Sequence, residues 1–207
     1  MEILYNIERV VLTELDPSTG LPKSNGGVKT TISTAKEAKL SPVISEGAEE
    51  ILRNATEILA VVREDDLLYG YDFTLTDNTF SIEAAQLVAG YVKTSKGSPG
   101  ANDIETPMME NGNQGKPFKT EIYVSNYEGD SIKNYCKITL NKCLGKFPEM
   151  TVGSEFYAPE FEIKARENTK AGLPIKSIAW VDSLPEVSAV NQSATADSKT
   201  KEPGQLN

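Results

Sequence analysis

Residues 67–76 constrain the fold more than any other part of the chain. Leu67, Tyr69, Tyr71, Phe73 and Leu75 alternate with Leu68, Gly70, Asp72, Thr74 and Thr76, a period of two rich in aromatic residues. A strand turns successive side chains to opposite faces, so this pattern predicts a half-buried strand with Tyr69 and Tyr71 at core-facing spacing. One strand cannot bury its own apolar face, so further strands must join it.

The later sequence supplies them. Residues 120–126, 131–144 and 156–166 all alternate, with Cys136, Ile138 and Leu140 on one face of the second, and Phe161, Ile163 and Ala165 opposed to Glu162 and Lys164 in the third. They read as antiparallel strands with one polar face. Residues 175–181, with the only tryptophan, Trp180, make a closing strand whose Trp is expected in the core. Before the alternating stretch, residues 16–31 gather Pro, Gly, Asn and Ser around Asn25-Gly26, a loop that suits a hairpin tip. Residues 48–63 stay ambiguous: apolar positions 48, 51, 52, 55, 59 and 62 have helical spacing, yet 57–63 is also a compact β-branched run after a turn at 53–55.

One helix is expected at about residues 79–89. Asp77, Asn78 and Thr79 are N-cap types, Phe80, Ala84, Leu87 and Val88 fall on one face, and Gly90 sits where a left-handed C-cap belongs. Residues 93–119 are dominated by Gly, Pro, Asn, Lys and Ser and read as one long flexible loop, while 186–207 have little to bury and read as a disordered tail. The expected fold is therefore mainly β, a β-sandwich or open barrel of antiparallel strands with one short flanking helix. A single β domain would span residues 1–185.

The chemistry is bounded by what is missing. The chain has no histidine, which removes Ser-His-Asp and Cys-His nucleophiles and HExxH zinc sites. Cys136 and Cys143 form no CxxC and read as free, buried thiols. Carboxylate pairs such as Asp65-Asp66 or Glu49-Glu50 are ordinary in an acidic chain and do not by themselves make a glycosidase. No phosphate-binding glycine loop or calcium loop is present. No catalytic, cofactor-binding or metal-ligating residue is therefore assigned, and the expectation is a protein that is not an enzyme and carries no cofactor. The absence of a basic, apolar leader and of any long apolar run reads as a soluble chain made in the cytoplasm, without a membrane partner.

Charge is uneven. Residues 1–115 hold 18 acidic and 9 basic side chains, against 8 and 10 in 116–180. The densest part runs from Glu46 to Asp66, where Glu46, Glu49, Glu50, Glu57, Glu64, Asp65 and Asp66 face only Arg53 and Arg63. Such a surface repels phosphate backbones; equally, it is what a solvated face that aids solubility looks like.

Two stretches carry a resemblance: ILAVVREDDLLYGYDFTLTDNTFSIEAAQLVAG (58–90) and PEFEIKARENTKAGLPIKSIAWVDSLP (159–185). A strand ending in a D-N-T-F helix start, an E-x-x-x-L-x-x-G helix, and a late F-E-x-K-A strand before V-D-S-L-P resemble the major tail tube proteins of tailed bacteriophages and prophages. The resemblance covers most of residues 1–185 and leaves 186–207 outside it. It implies a structural subunit, located in the virion tail after synthesis in the host cytoplasm. Such subunits assemble into stacked hexameric rings whose inner sheets join into one barrel, with a long loop reaching a neighbour. Implied partners are copies of itself, tape measure and tail tip or baseplate proteins, and a sheath where the tail is contractile, since the family occurs in both contractile and non-contractile tails; DNA is non-sticking cargo in an acidic lumen, whose acids are expected within 46–66. The alternative expectation is a β-sandwich module that binds a glycan or a protein.

Overall fold

The computed structural model describes residues 2–94, 103–106, 115–146, 148 and 158–186. In chain order the elements are β1 (Ile3–Glu14), β2 (Lys29–Ile32), β3 (Ala35–Ser45), β4 (Glu49–Arg53), β5 (Ile58–Arg63), β6 (Leu67–Asp77), the helix α1 (Ile82–Ala89), β7 (Val92–Thr94), β8 (Asp103–Glu105), β9 (Phe118–Glu128), β10 (Ser131–Gly145), β11 (Glu160–Ala165) and β12 (Lys176–Val181). The protein is mainly β, all pairings are antiparallel, and α1 is the single helix among the described residues. That is the expected fold class.

One eight-stranded sheet forms the body, in the order β2-β1-β9-β10-β11-β6-β3, with β12 also paired to β10. Although β1 and β3 are far apart in that order, the sheet curls until they approach each other. The enclosed core takes Val10 and Leu12 from β1, Phe73 and Leu75 from β6, Phe118 and Ile122 from β9, Leu140 from β10, and Phe161 and Ile163 from β11. Ala38 and Leu40 of β3 pack against it. The alternation of β11 is as its sequence predicts: Phe161, Ile163 and Ala165 are buried while Glu160, Glu162 and Lys164 are exposed.

β9 departs from the expectation of one polar face, because it is central and most of both faces is covered. Glu121 is buried on the side away from the core, held by Lys137 at 2.7 Å and Lys119 at 3.2 Å. Burial opposes ionisation there, but the hydrogen bond from Lys137 and the Lys119 charge outweigh it and keep the carboxyl below its ordinary pKa. Cys136 and Cys143 are free and buried, as expected.

The helix begins later than expected. Ser81, not the 77–79 triplet, is the N-cap, with its hydroxyl accepting from the Ala84 N–H at 3.2 Å. Asp77 and Thr79 instead bond the Thr34 hydroxyl at 2.6 and 2.8 Å, tying the end of β6 to the turn before β3. Phe80 therefore precedes the helix, and Ala84, Leu87 and Val88 carry its buried face into the core. Gly90 ends it in the left-handed region at φ 72°, as the sequence predicts.

Two further expectations are corrected in part or whole, and the alternative left open at 48–63 is settled. Of the expected loop at 93–119, residues 95–102 and 107–114 lie outside the described residues; in the rest, β7 and β8 pair as a small ribbon and β9 begins at Phe118. The ambiguous 48–63 segment is a β-hairpin, β4 with β5, closed by Asn54, whose side-chain oxygen accepts from the Thr56 and Glu57 N–H groups at 2.9 and 2.7 Å. Trp180 and Tyr69 are not core residues, being 45% and 63% exposed; only Tyr71 of the tyrosine pair packs on the core. The 16–31 loop does join an antiparallel pair, β1 and β2. Of the expected 156–166 strand, residues 156 and 157 lie outside the described residues, as does the expected tail from 187 onward. Among the described residues no helix is long and apolar enough to cross a membrane.

Candidate assembly surface

The long antiparallel pair of β3 and β6 runs to Ser45↔Leu67. Beyond it the Gly47 N–H donates to the Asp66 carboxylate at 3.0 Å, the Glu64 N–H donates to the Ala48 carbonyl at 2.9 Å, and the pairing resumes from Glu49↔Arg63 to Arg53↔Ile58. β4 and β5 are therefore the far end of one extended ribbon, and every residue of both strands is exposed.

This arm is apolar on both faces. The register places Ile51 opposite Val61 and Leu52 opposite Ala60, with Leu59 on the Val61 side and Ile58 and Val62 on the Ala60 side. Ile51, Leu52, Ile58, Leu59, Val61 and Val62 are 51–65% exposed. Fully burying such a side chain is worth about 1.5–3 kcal/mol, so roughly 1 kcal/mol remains ungained on each. An isolated two-stranded hairpin is marginal in water, so a ribbon of this composition is stabilised by whatever covers it.

The acids expected between Glu46 and Asp66 sit on this same arm. Glu46, Glu49, Glu50, Glu57, Glu64, Asp65 and Asp66 are all exposed, and the one ion pair among them, Arg63 with Glu49 at 3.9 Å, is solvent-facing. The sequence located the charge but not the strands that carry it.

A second unfinished surface lies along β12. β11 pairs with Cys143–Gly145 of β10, and β12 with Tyr135–Leu140 on the same side, both antiparallel. The two strands therefore share one lane, interrupted by residues 166–175. That excursion is pinned: the Arg166 N–H donates to the Lys142 carbonyl at 2.9 Å, and the buried Asn168 side chain donates to the Gly20 and Asn141 carbonyls at 2.8 and 3.3 Å. β6 covers the outer side of β11 only as far as Tyr71↔Ala165. Past that point β12 has no second strand partner among the described residues.

Trp180 and Ile178 pair with Cys136 and Ile138, so they lie on the sheet face that elsewhere forms the core. With β6 gone from the neighbouring lane they stand 45% and 57% exposed. Two cations mark the point of divergence: Lys176 lies 4.5 Å from the Tyr71 ring centre and Arg166 lies 4.9 Å from that of Tyr69. β2 and β3 also end the sheet order, and Pro42 within β3 is suited to an edge because it has no N–H to donate.

Among the described residues no group of three or more Cys, Asp or Glu could hold a metal ion. No known family model and no curated protein matches the chain.

Proposed function

We propose that this chain is a structural subunit of a bacteriophage tail tube that self-assembles into stacked, hexameric rings. The observation that carries the reading is the β4–β5 arm, apolar on both faces and exposed throughout, projecting from a sheet with open edges. Unpaired edges and a two-faced apolar ribbon are hazards for a chain that stays alone, and they are contact surfaces for one that joins copies of itself. The resemblance of residues 58–90 and 159–185 to tail tube proteins supports the same reading. Acids on the arm would make any channel it lines repel DNA phosphates, so that a duplex slides instead of binding. Tape measure and tip or baseplate proteins are the partners this function entails, with a sheath added in a contractile tail.

Negative-stain electron microscopy of the purified, concentrated chain, with light scattering for its mass, tests the reading. Rings or tubes with a channel wide enough for a duplex are expected. A chain that stays monomeric at every concentration would favour the second reading, a glycan-binding module, for which the exposed Trp180 is the favouring observation. In that case Trp180→Ala would abolish sugar binding and leave the fold intact.

A further inference from the structure

We infer that the open edge of β12 receives the β4–β5 arm of a second copy of this chain. The inference rests on the self-assembly reading and adds which two surfaces meet.

Both surfaces are unfinished in complementary ways. The arm offers apolar side chains and ribbon edges. β12 offers an edge with no strand partner among the described residues, together with Ile178 and Trp180, on the face that is core elsewhere in the sheet. Adding a strand there continues the lane that β6 leaves at Tyr71, satisfies the backbone groups of the edge and covers both apolar side chains.

Charge sets the match. The arm and its base carry seven acids against two arginines, Glu46 to Asp66. The near end of the β12 edge carries Lys176 and Arg166, and residues 116–180 as a whole have 10 basic side chains to 8 acidic ones. Opposite charge draws arm to edge, and like charge disfavours arm against arm. Because the donor and acceptor surfaces differ, the contact is head-to-tail, and head-to-tail contacts generate closed rings or open filaments.

Complementation between two defective variants tests this. An arm variant, Leu52→Asp with Leu59→Asp, keeps an intact β12, and an edge variant, Ile178→Lys with Trp180→Lys, keeps an intact arm. Circular dichroism and a thermal melt establish that each is folded. Each variant alone is expected to be monomeric by light scattering, and their equimolar mixture is expected to form dimers and nothing larger, since only one productive interface remains per pair. A mixture that stays monomeric overturns the inference. An edge variant that still assembles like the unmodified chain overturns it too, while leaving self-assembly intact. An unmodified chain that never assembles overturns the self-assembly reading itself. Trp180 also gives a readout without any variant, being the only tryptophan: its emission should move to shorter wavelength as the chain assembles, and assembly with unshifted emission refutes the contact.

Discussion

Replacing Glu14 with Gln should lower stability by about 2 kcal/mol at neutral pH, and the loss should fade in acid. Glu14 ends β1 and is only 4% exposed. Its carboxylate accepts from the Val28 N–H at 2.9 Å and lies 3.3 Å from Lys23 and 3.4 Å from Lys116, so one side chain clamps the hairpin loop and the approach to β9. A hydrogen bond to a charged group is worth about 1.5–3 kcal/mol and a neutral one about 0.5–1.5. Glutamine keeps the neutral bond to Val28 and loses the difference. The lysines are about half exposed, so each ion pair adds only about 0.2–1 kcal/mol.

The pH dependence follows from the carboxyl's shift. Burial pushes its pKa up, but the Val28 N–H, the Lys23 hydrogen bond and the Lys116 charge outweigh that and hold it below the ordinary value. A depressed carboxyl binds fewer protons folded than unfolded, so its contribution is complete above the unfolded pKa and is lost as pH falls through the folded one. Thermal melts of dilute protein should show Glu14→Gln melting about 4–8 °C lower at neutral pH, at roughly 2–4 °C per kcal/mol for a chain of this size. The gap should begin to narrow only as pH falls below the ordinary glutamate value of about 4.3, and should close as it passes through the depressed folded value. A gap that persists unchanged into acid would refute the ionic clamp.

Other substitutions probe the packing. A methyl group at Gly145 would meet the Val88 side chain at 2.2 Å and its carbonyl at 2.3 Å, so Gly145→Ala should displace α1 from β10 and cost about 1–3 kcal/mol in a denaturant melt. Asn168→Ala leaves the Gly20 and Asn141 carbonyls without their buried donor, and a loss of about 1–3 kcal/mol is expected by the same measurement. Burial pushes the Cys143 thiol up to about 12 and raises that of Cys136 as well. Neither thiol should react with a thiol-specific reagent at mildly alkaline pH until the protein is unfolded.

Local pattern was a good guide wherever local physics decides. The period of two in residues 67–76 and 156–166 announced β6 and β11, and Gly90 announced the helix end, because side-chain alternation and a left-handed cap are set by near neighbours. The helix start was misplaced by three competing cap types in a row, of which Asp77 and Thr79 are engaged by Thr34, a residue more than forty positions earlier. β3 went unnoticed because an edge strand facing solvent on one side, with Pro42 inside it, carries little alternation. The candidate surface was half legible: its acids were visible as a cluster, whereas its hairpin was hidden by apolar spacing that fits a helix or a strand equally.

Composition and periodicity by themselves therefore determined that this is an antiparallel β protein with one short helix, buried thiols and an acidic segment near residues 46–66. Only the tertiary structure decided which strand faces are covered. Tyr69 and Trp180 have the spacing and character of core residues, yet the pairing of β6 with β11 ends at Tyr71 and the covered core ends there, so both side chains are left exposed. A strand's sequence specifies that it has two faces; what covers each face depends on the strands beside it, and those are set by pairings between residues far apart in the chain.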